Sequence, residues 1–129
     1  MDRIADFLTV LRNAIRISKR SVSVPHSRMR ESIARILKEE GFIRGYDVDR
    51  TNEKKPALNV QLKYVKGESV IHEITRVSSP GRRQYSKLKN LTPVIGGLGI
   101  SILSTNAGVI TDKQAQKLTV SGEILCRVW

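Results

Sequence analysis

Residues 58–77 read LNVQLKYVKGESVIHEITRV. Leu58, Val60, Leu62 and Tyr64 fall on one face of an extended chain, Lys66-Gly67 supplies a turn, and Val70, His72, Ile74 and Arg76 then alternate with Ile71, Glu73, Thr75 and Val77. A period of two on both sides of a turn predicts paired strands, each with one face against a core. The period before this stretch is different. Ile4, Phe7, Leu8, Leu11 and Ile15 keep helical spacing behind Asp2, a residue suited to cap a helix, with Arg12 and Arg16 toward its end. Ser21 to Val24 alternates and stops at Pro25. Ser27 can cap a second helix with Met29, Ile33, Ile36 and Leu37 inward, closed by Gly41 in a left-handed conformation. Two helices on a three-stranded sheet are therefore expected for the first part of the chain.

Working toward the C-terminus, Ser78-Ser79-Pro80-Gly81 is the strongest break, and it predicts domains over 1–77 and 78–129. The second part offers a strand at Gly99 to Leu103, a loop from Ser104 to Gly108 and a strand at Val109 to Thr111. A short helix capped by Asp112 runs through Leu118, and Gly122 leads into a last strand, Glu123 to Val128. The expected fold class is α+β: an N-terminal α/β domain and a C-terminal, mainly antiparallel β domain with a short helix. Asn90 to Thr111 carries no charged side chain, but Pro93 and the glycines at 96, 97, 99 and 108 interrupt it, so it is not a membrane span.

The chain of 129 residues carries 23 basic and 12 acidic side chains, a net charge of +11, which makes a polyanion the default partner. The excess is uneven. Residues up to 50 hold 11 basic and seven acidic side chains, those beyond hold 12 and five, and no acid lies between Glu73 and Asp112. Arg82, Arg83, Lys87 and Lys89 fall in that acid-free stretch. Arg82 and Arg83 with Tyr85 combine guanidinium forks for phosphate or a base edge with a ring on which an unstacked base can lie, although Tyr85 would equally suit an inward strand position. In the Ser104 to Gly108 loop, two hydroxyls and an amide sit beside a glycine. Such uncharged donors and acceptors read nucleotide edges, the alternative being a hairpin turn that satisfies its own backbone.

Enzyme chemistry finds little support. His26 and His72 have no Asp, Ser or Cys at a triad or metal spacing, and Gly96-Gly97-Leu98-Gly99 leads into a strand instead of the helix a pyrophosphate needs. Cys126, the single cysteine, shares a strand face with Ile124 and Val128 and reads as core. A lone cysteine and acids at positions 2 and 6, where a secretory signal would begin, fit a cytoplasmic protein with neither cofactor nor metal.

With these segments placed, the chain resembles the bacterial-type family of small ribosomal subunit protein eight along nearly its whole length. The resemblance is carried by residues 97–112, GLGISILSTNAGVITD, with its Ser-Thr-x-x-Gly loop, and by Ile4-Ala5-Asp6-Phe7-Leu8-Thr9, Arg12-Asn13-Ala14, residues 37–43 (LKEEGFI) and Gly122-Glu123-Ile124-Leu125. It implies a non-enzymatic protein that binds the central domain of 16S ribosomal RNA among neighbouring small-subunit proteins, as a monomer within the ribosome. Its own messenger RNA is a second candidate partner through the same site. The family's RNA contacts carry over onto Ser104, Thr105, Asn106, Gly108, Tyr85, Gly122 and Glu123, with a secondary region near Arg28 and Arg30. Ser79 and Ser121 depart from the family pattern, which has a basic residue and a glycine there. A carboxylate such as Glu123 accepts hydrogen bonds and repels phosphate, so it would orient a donor or accept from a base amino group; the alternative is an edge-strand carboxylate facing water.

Overall fold

The computed structural model describes residues 2–78, 81, 85–86 and 99–129, with the side chains of 85 and 86 excepted. These residues form two compact units: Asp6–Ile71, and His72–Trp129 together with residues 2–5.

Helix α1 (Arg3–Arg16) starts with residues grouped in the second unit and continues into the first, where it buries Phe7, Leu8, Leu11 and Ala14 on one face. Asp2 caps it: its Oδ1 accepts from the amides of Ile4 and Ala5, both at 3.1 Å. Strand β1 (Ser21–Pro25) is followed by α2 (Arg28–Glu39), whose cap Ser27 accepts from the Arg30 amide. The end of α2 is closed by Gly41 at φ +81°. There the Gly41 amide donates to the Lys38 carbonyl and the Phe42 amide to that of Leu37, pairing carbonyls the helix would otherwise leave open. Strands β2 (Ile43–Asp49) and β3 (Ala57–Leu62) complete an antiparallel sheet of order β1-β3-β2, and α2 packs against β2 and β3. Leu58, Val60 and Leu62 are buried and alternate with half-buried neighbours, as the period of two requires.

After Leu62 the sequence reading and the structure part. Tyr64 lies beyond β3 in a separate two-residue strand, β4 (Tyr64–Val65), which turns through Lys66 and Gly67, both at positive φ, into β5 (Glu68–Ser69). The alternation expected over residues 70–77 breaks, because Ile71 and Ile74 are both buried and lie three apart. Between them the His72 and Glu73 amides both donate to the Trp129 carbonyl. Strand β6 (Ile74–Arg76) therefore joins the second unit, and the units divide at Ile71/His72, whereas the punctuation after Val77 had suggested a boundary there.

The second unit is built on β10 (Gly122–Val128). This strand pairs on one side with β6 and β7 (Tyr85–Ser86) and on the other with β8 (Ile100–Thr105), which pairs with β9 (Gly108–Thr111). A bulge between Ile124 and Cys126 frees the Leu125 carbonyl from the β8 ladder, and it accepts instead from the Val77 amide and Arg76 Nη1. Helix α3 (Asp112–Leu118) lies on β8 and β9, with Ala115 packed against Leu103 and Ile124. Its cap is Thr111, not Asp112: Thr111 and Gln114 exchange side chain-to-backbone hydrogen bonds in a reciprocal box, while Asp112 is the first helical residue and its Oδ1 accepts from the Ser101 amide at 3.4 Å. Cys126 is fully buried, and burial pushes its thiol up to about 12, which keeps it inert. Among the described residues no helix is long and apolar enough to cross a membrane.

Candidate nucleic-acid interface

The expected loop from 104 to 108 is much tighter than its sequence suggested. Ser104 and Thr105 are the last residues of β8, Gly108 opens β9, and only Asn106 and Ala107 form the turn. Thr105 builds that turn: its hydroxyl donates to the Gly108 carbonyl at 2.9 Å and accepts from the Ala107 amide at 3.0 Å. Gly108 stands at φ +102°, a conformation that a side chain would strain. Asn106 and Ala107 are exposed at the tip.

Strand register brings distant segments of the chain together here. Tyr85 lies opposite Glu123, which lies opposite Ser104; in the next row Ser86 lies opposite Gly122, and Gly122 opposite Thr105. Directly opposed residues on neighbouring strands share a face, so Ser104 and Glu123 stand side by side. Glu123 is 8% exposed. Because β10 runs through the middle of the sheet, the alternative of an edge-strand carboxylate facing water does not hold.

Gly122 is required by the protein itself. A Cβ placed there would meet the Ser104 carbonyl oxygen at 2.1 Å and Thr105 Cγ2 at 2.9 Å. The bare backbone at 122 lets β8 and β10 close on each other and so fixes where Ser104 and Thr105 stand.

The two arginines near α2 separate. Arg28 is exposed and borders a shallow depression with Glu31, Ser32, Arg35 and Tyr46. Arg30 is 8% exposed, and its Nη1 donates to the Pro25 carbonyl at 2.8 Å, tying α2 to the end of β1. The sequence held a sign of this, since Arg30 precedes the buried Ile33, Ala34 and Leu37 by three, four and seven residues. Both arginines belong to the first unit, whereas the paired rows belong to the second. Arg82, Arg83, Lys87 and Lys89 lie outside the described residues, as does the Tyr85 side chain. Sequence reasoning passed over Ser86, whose position opposite Gly122 only strand register reveals.

Of the two histidines, His26 Nε2 sits 2.7 Å from Glu31 Oε1 in the first unit, and His72 is exposed in the second. A basic α+β chain that gathers hydroxyls, an amide and a glycine at a hairpin end presents groups suited to an RNA surface. The comparisons agree with this. The chain matches the family described as ribosomal protein S8 over residues 2–129. It is 49% identical over 128 residues to small ribosomal subunit protein uS8 of Pseudomonas fluorescens (strain SBW25), and equally to that of Ectopseudomonas mendocina (strain ymp), each match covering 99% of this chain and 97% of the relative. The chain belongs to the ribosomal protein S8 family, a family of structural ribosomal proteins and not of enzymes.

Proposed function

We propose that the chain is a structural constituent of the small ribosomal subunit that binds the central domain of 16S ribosomal RNA directly, helping that domain to fold and the subunit to assemble alongside neighbouring ribosomal proteins. The observation that carries this reading is the register of β7, β10 and β8, which lines up Tyr85, Glu123 and Ser104 in one row and Ser86, Gly122 and Thr105 in the next, beside the Asn106 tip. The residues divide by chemistry. Ser104 and Asn106 offer uncharged donors and acceptors that read base edges and 2′-hydroxyls, and Glu123 accepts from a donor. Arg82, Arg83, Lys87, Lys89 and Arg28 supply charge toward phosphates, and Tyr85 a ring for stacking. Thr105, Gly108, Gly122 and Arg30 hold the frame, and the first three of these also present backbone to the RNA.

This division of labour predicts different outcomes at two adjacent hydroxyls. Ser104→Ala leaves the turn intact and should weaken binding to a central-domain transcript by about 1 kcal/mol, roughly fivefold, without changing the salt dependence or the affinity for an unrelated folded RNA. Thr105→Ala removes the bonds that close the turn and should cost more, whereas Thr105→Ser keeps the hydroxyl and should bind nearly as the parent does. Filter-binding titrations of both RNAs measure this. Equal losses for the two RNAs in Ser104→Ala would remove Ser104 from the reading surface.

A further inference from the structure

The sheet of the first unit has an open polar face. Opposite the buried Leu58, Val60 and Leu62 stand Asn59 and Gln61, whose side-chain amides donate to the two oxygens of Asp47 at 3.0 and 2.9 Å. Toward one end of this face, a single row crosses all three strands: Ser21 opposite Gln61, and Gln61 opposite Gly45. It is a floor of one hydroxyl, one amide and one residue with no side chain. A Cβ at Gly45 would meet Gln61 Oε1 at 3.6 Å, an ordinary van der Waals contact, so the glycine leaves that oxygen uncovered.

Two arginines border that floor. The register of β2 shifts between Ile43 and Gly45, so Arg44 is a bulged residue, and bulges commonly re-aim a side chain. Arg20 immediately precedes Ser21, and its carbonyl accepts from the Leu62 amide at 2.8 Å, which fixes its backbone against β3. Arg20, Ser21, Arg44, Gly45, Gln61 and Tyr64 line an open depression of about 630 Å³, and among the described residues its lining includes no carboxylate. Both arginines are exposed, and neither guanidinium has a hydrogen-bond or ion-pair partner among the described residues.

We propose that this depression binds the sugar–phosphate backbone of an RNA strand, giving the first unit an RNA contact on its open sheet face, distinct from Arg28 on α2 and from the hairpin end of the second. Each guanidinium presents a planar fork that matches phosphate oxygens. Gln61 contributes something a simple basic patch lacks: its Nε2 is held by Asp47, which leaves Oε1 as an acceptor on the floor, suited to a ribose 2′-hydroxyl. Phosphate forks beside a 2′-hydroxyl acceptor favour RNA over an acidic peptide, which offers carboxylates but no ribose.

The inference rests on the reading that the chain binds 16S ribosomal RNA, and the test separates the two claims. Buried Cys126 leaves the protein without a reactive thiol, so an iron chelate can be tethered at one added cysteine, either Ser23→Cys on the open sheet face or Ala107→Cys at the hairpin tip. Each labelled protein is bound to 16S ribosomal RNA, and radical cleavage of the RNA is mapped. Both tethers should cut, at different nucleotides. Adding Arg20→Ala and Arg44→Ala, both exposed positions, should erase the Ser23 cuts and spare those from Ala107, and should make the slope of log affinity against log salt shallower by about 2. Cuts from Ala107 with none from Ser23, or Ser23 cuts that survive loss of both arginines, would overturn the proposal. So would a Ser23 tether that, in reconstituted subunits, attacks a neighbouring protein and no RNA. Silence from both tethers would count against RNA binding by the chain as a whole, and the proposal would fall with it.

Discussion

Gly122→Ala is expected to destabilise the second unit by about 2 to 4 kcal/mol, at the upper end of what overpacking costs. The added methyl would lie 2.1 Å from the Ser104 carbonyl oxygen, and that atom belongs to paired backbone that cannot swing aside as a flexible side chain would. Either β8 and β10 separate locally or the end of β8 shifts. In both cases Ser104 and Thr105 move, so affinity for the central-domain transcript should fall further than in Ser104→Ala even where the protein remains folded. Urea unfolding and RNA titration of the same preparation measure the two effects, and the melting temperature should drop by roughly 10 °C for a chain of this size. Wild-type stability in Gly122→Ala would mean that the close approach of the two strands is not what makes glycine necessary.

Arg76→Ala should be comparably damaging for a different reason. The Arg76 side chain, 12% exposed, places Nε 3.1 Å from Asp2 Oδ2, itself 19% exposed, while Nη1 holds the Leu125 carbonyl at 2.7 Å. Truncation takes from Asp2 Oδ2 its guanidinium and from the Leu125 carbonyl one of its two donors, the Val77 amide remaining, a loss of about 2 kcal/mol given that the Arg76 and Asp2 side chains keep some contact with water. The loss should depend on pH. Burial by itself pushes the Asp2 carboxyl up, but the Ala5 amide, the Arg76 guanidinium and the Ile4 amide together outweigh it and hold the group below its ordinary 3.8. A carboxyl depressed in the folded state contributes stability above its unfolded value and loses it as pH falls through the folded one. The gap between parent and Arg76→Ala should therefore be widest near neutrality and narrow below about pH 4. A gap that stays constant into acid would show that the Asp2 charge plays no part.

Local chemistry was legible in the sequence wherever the physics is local. Asp2 and Ser27 cap their helices, Gly41 closes the second, and Leu58, Val60 and Leu62 point inward, because each of these outcomes is decided within a few residues. Most of what the pattern left open is decided by partners far away along the chain. Residues 70–77 carry a strand pattern, yet nothing in that pattern shows that Ile74–Arg76 would pair with Cys126–Val128 and so belong to the other unit. Asp112 is as good a cap by type as Thr111; the Gln three residues after Thr111 decided between them. The candidate site follows the same division. Its hydroxyls and glycines could be named from residues 104–108, but that Gly122 is bare to admit the Ser104 carbonyl, that Glu123 is buried in a central strand and that Tyr85 lies opposite it are products of register. The family resemblance carries Arg28 and Arg30 over together, although two residues on a helix differ by more than half a turn, and one points inward while the other is exposed.

The central claim is that this chain recognises a particular RNA fold and is not merely a cation of charge +11. The direct test is competition between a 16S central-domain transcript and an unrelated structured RNA of equal length, titrated across a salt series. General attraction weakens with salt at a slope of roughly −0.7 to −0.9 per phosphate neutralised, for any RNA. The account predicts that the central-domain transcript keeps an advantage of about a hundredfold or more as salt rises, because uncharged groups at the hairpin end carry the discrimination. Two RNAs bound equally at every salt concentration would contradict it.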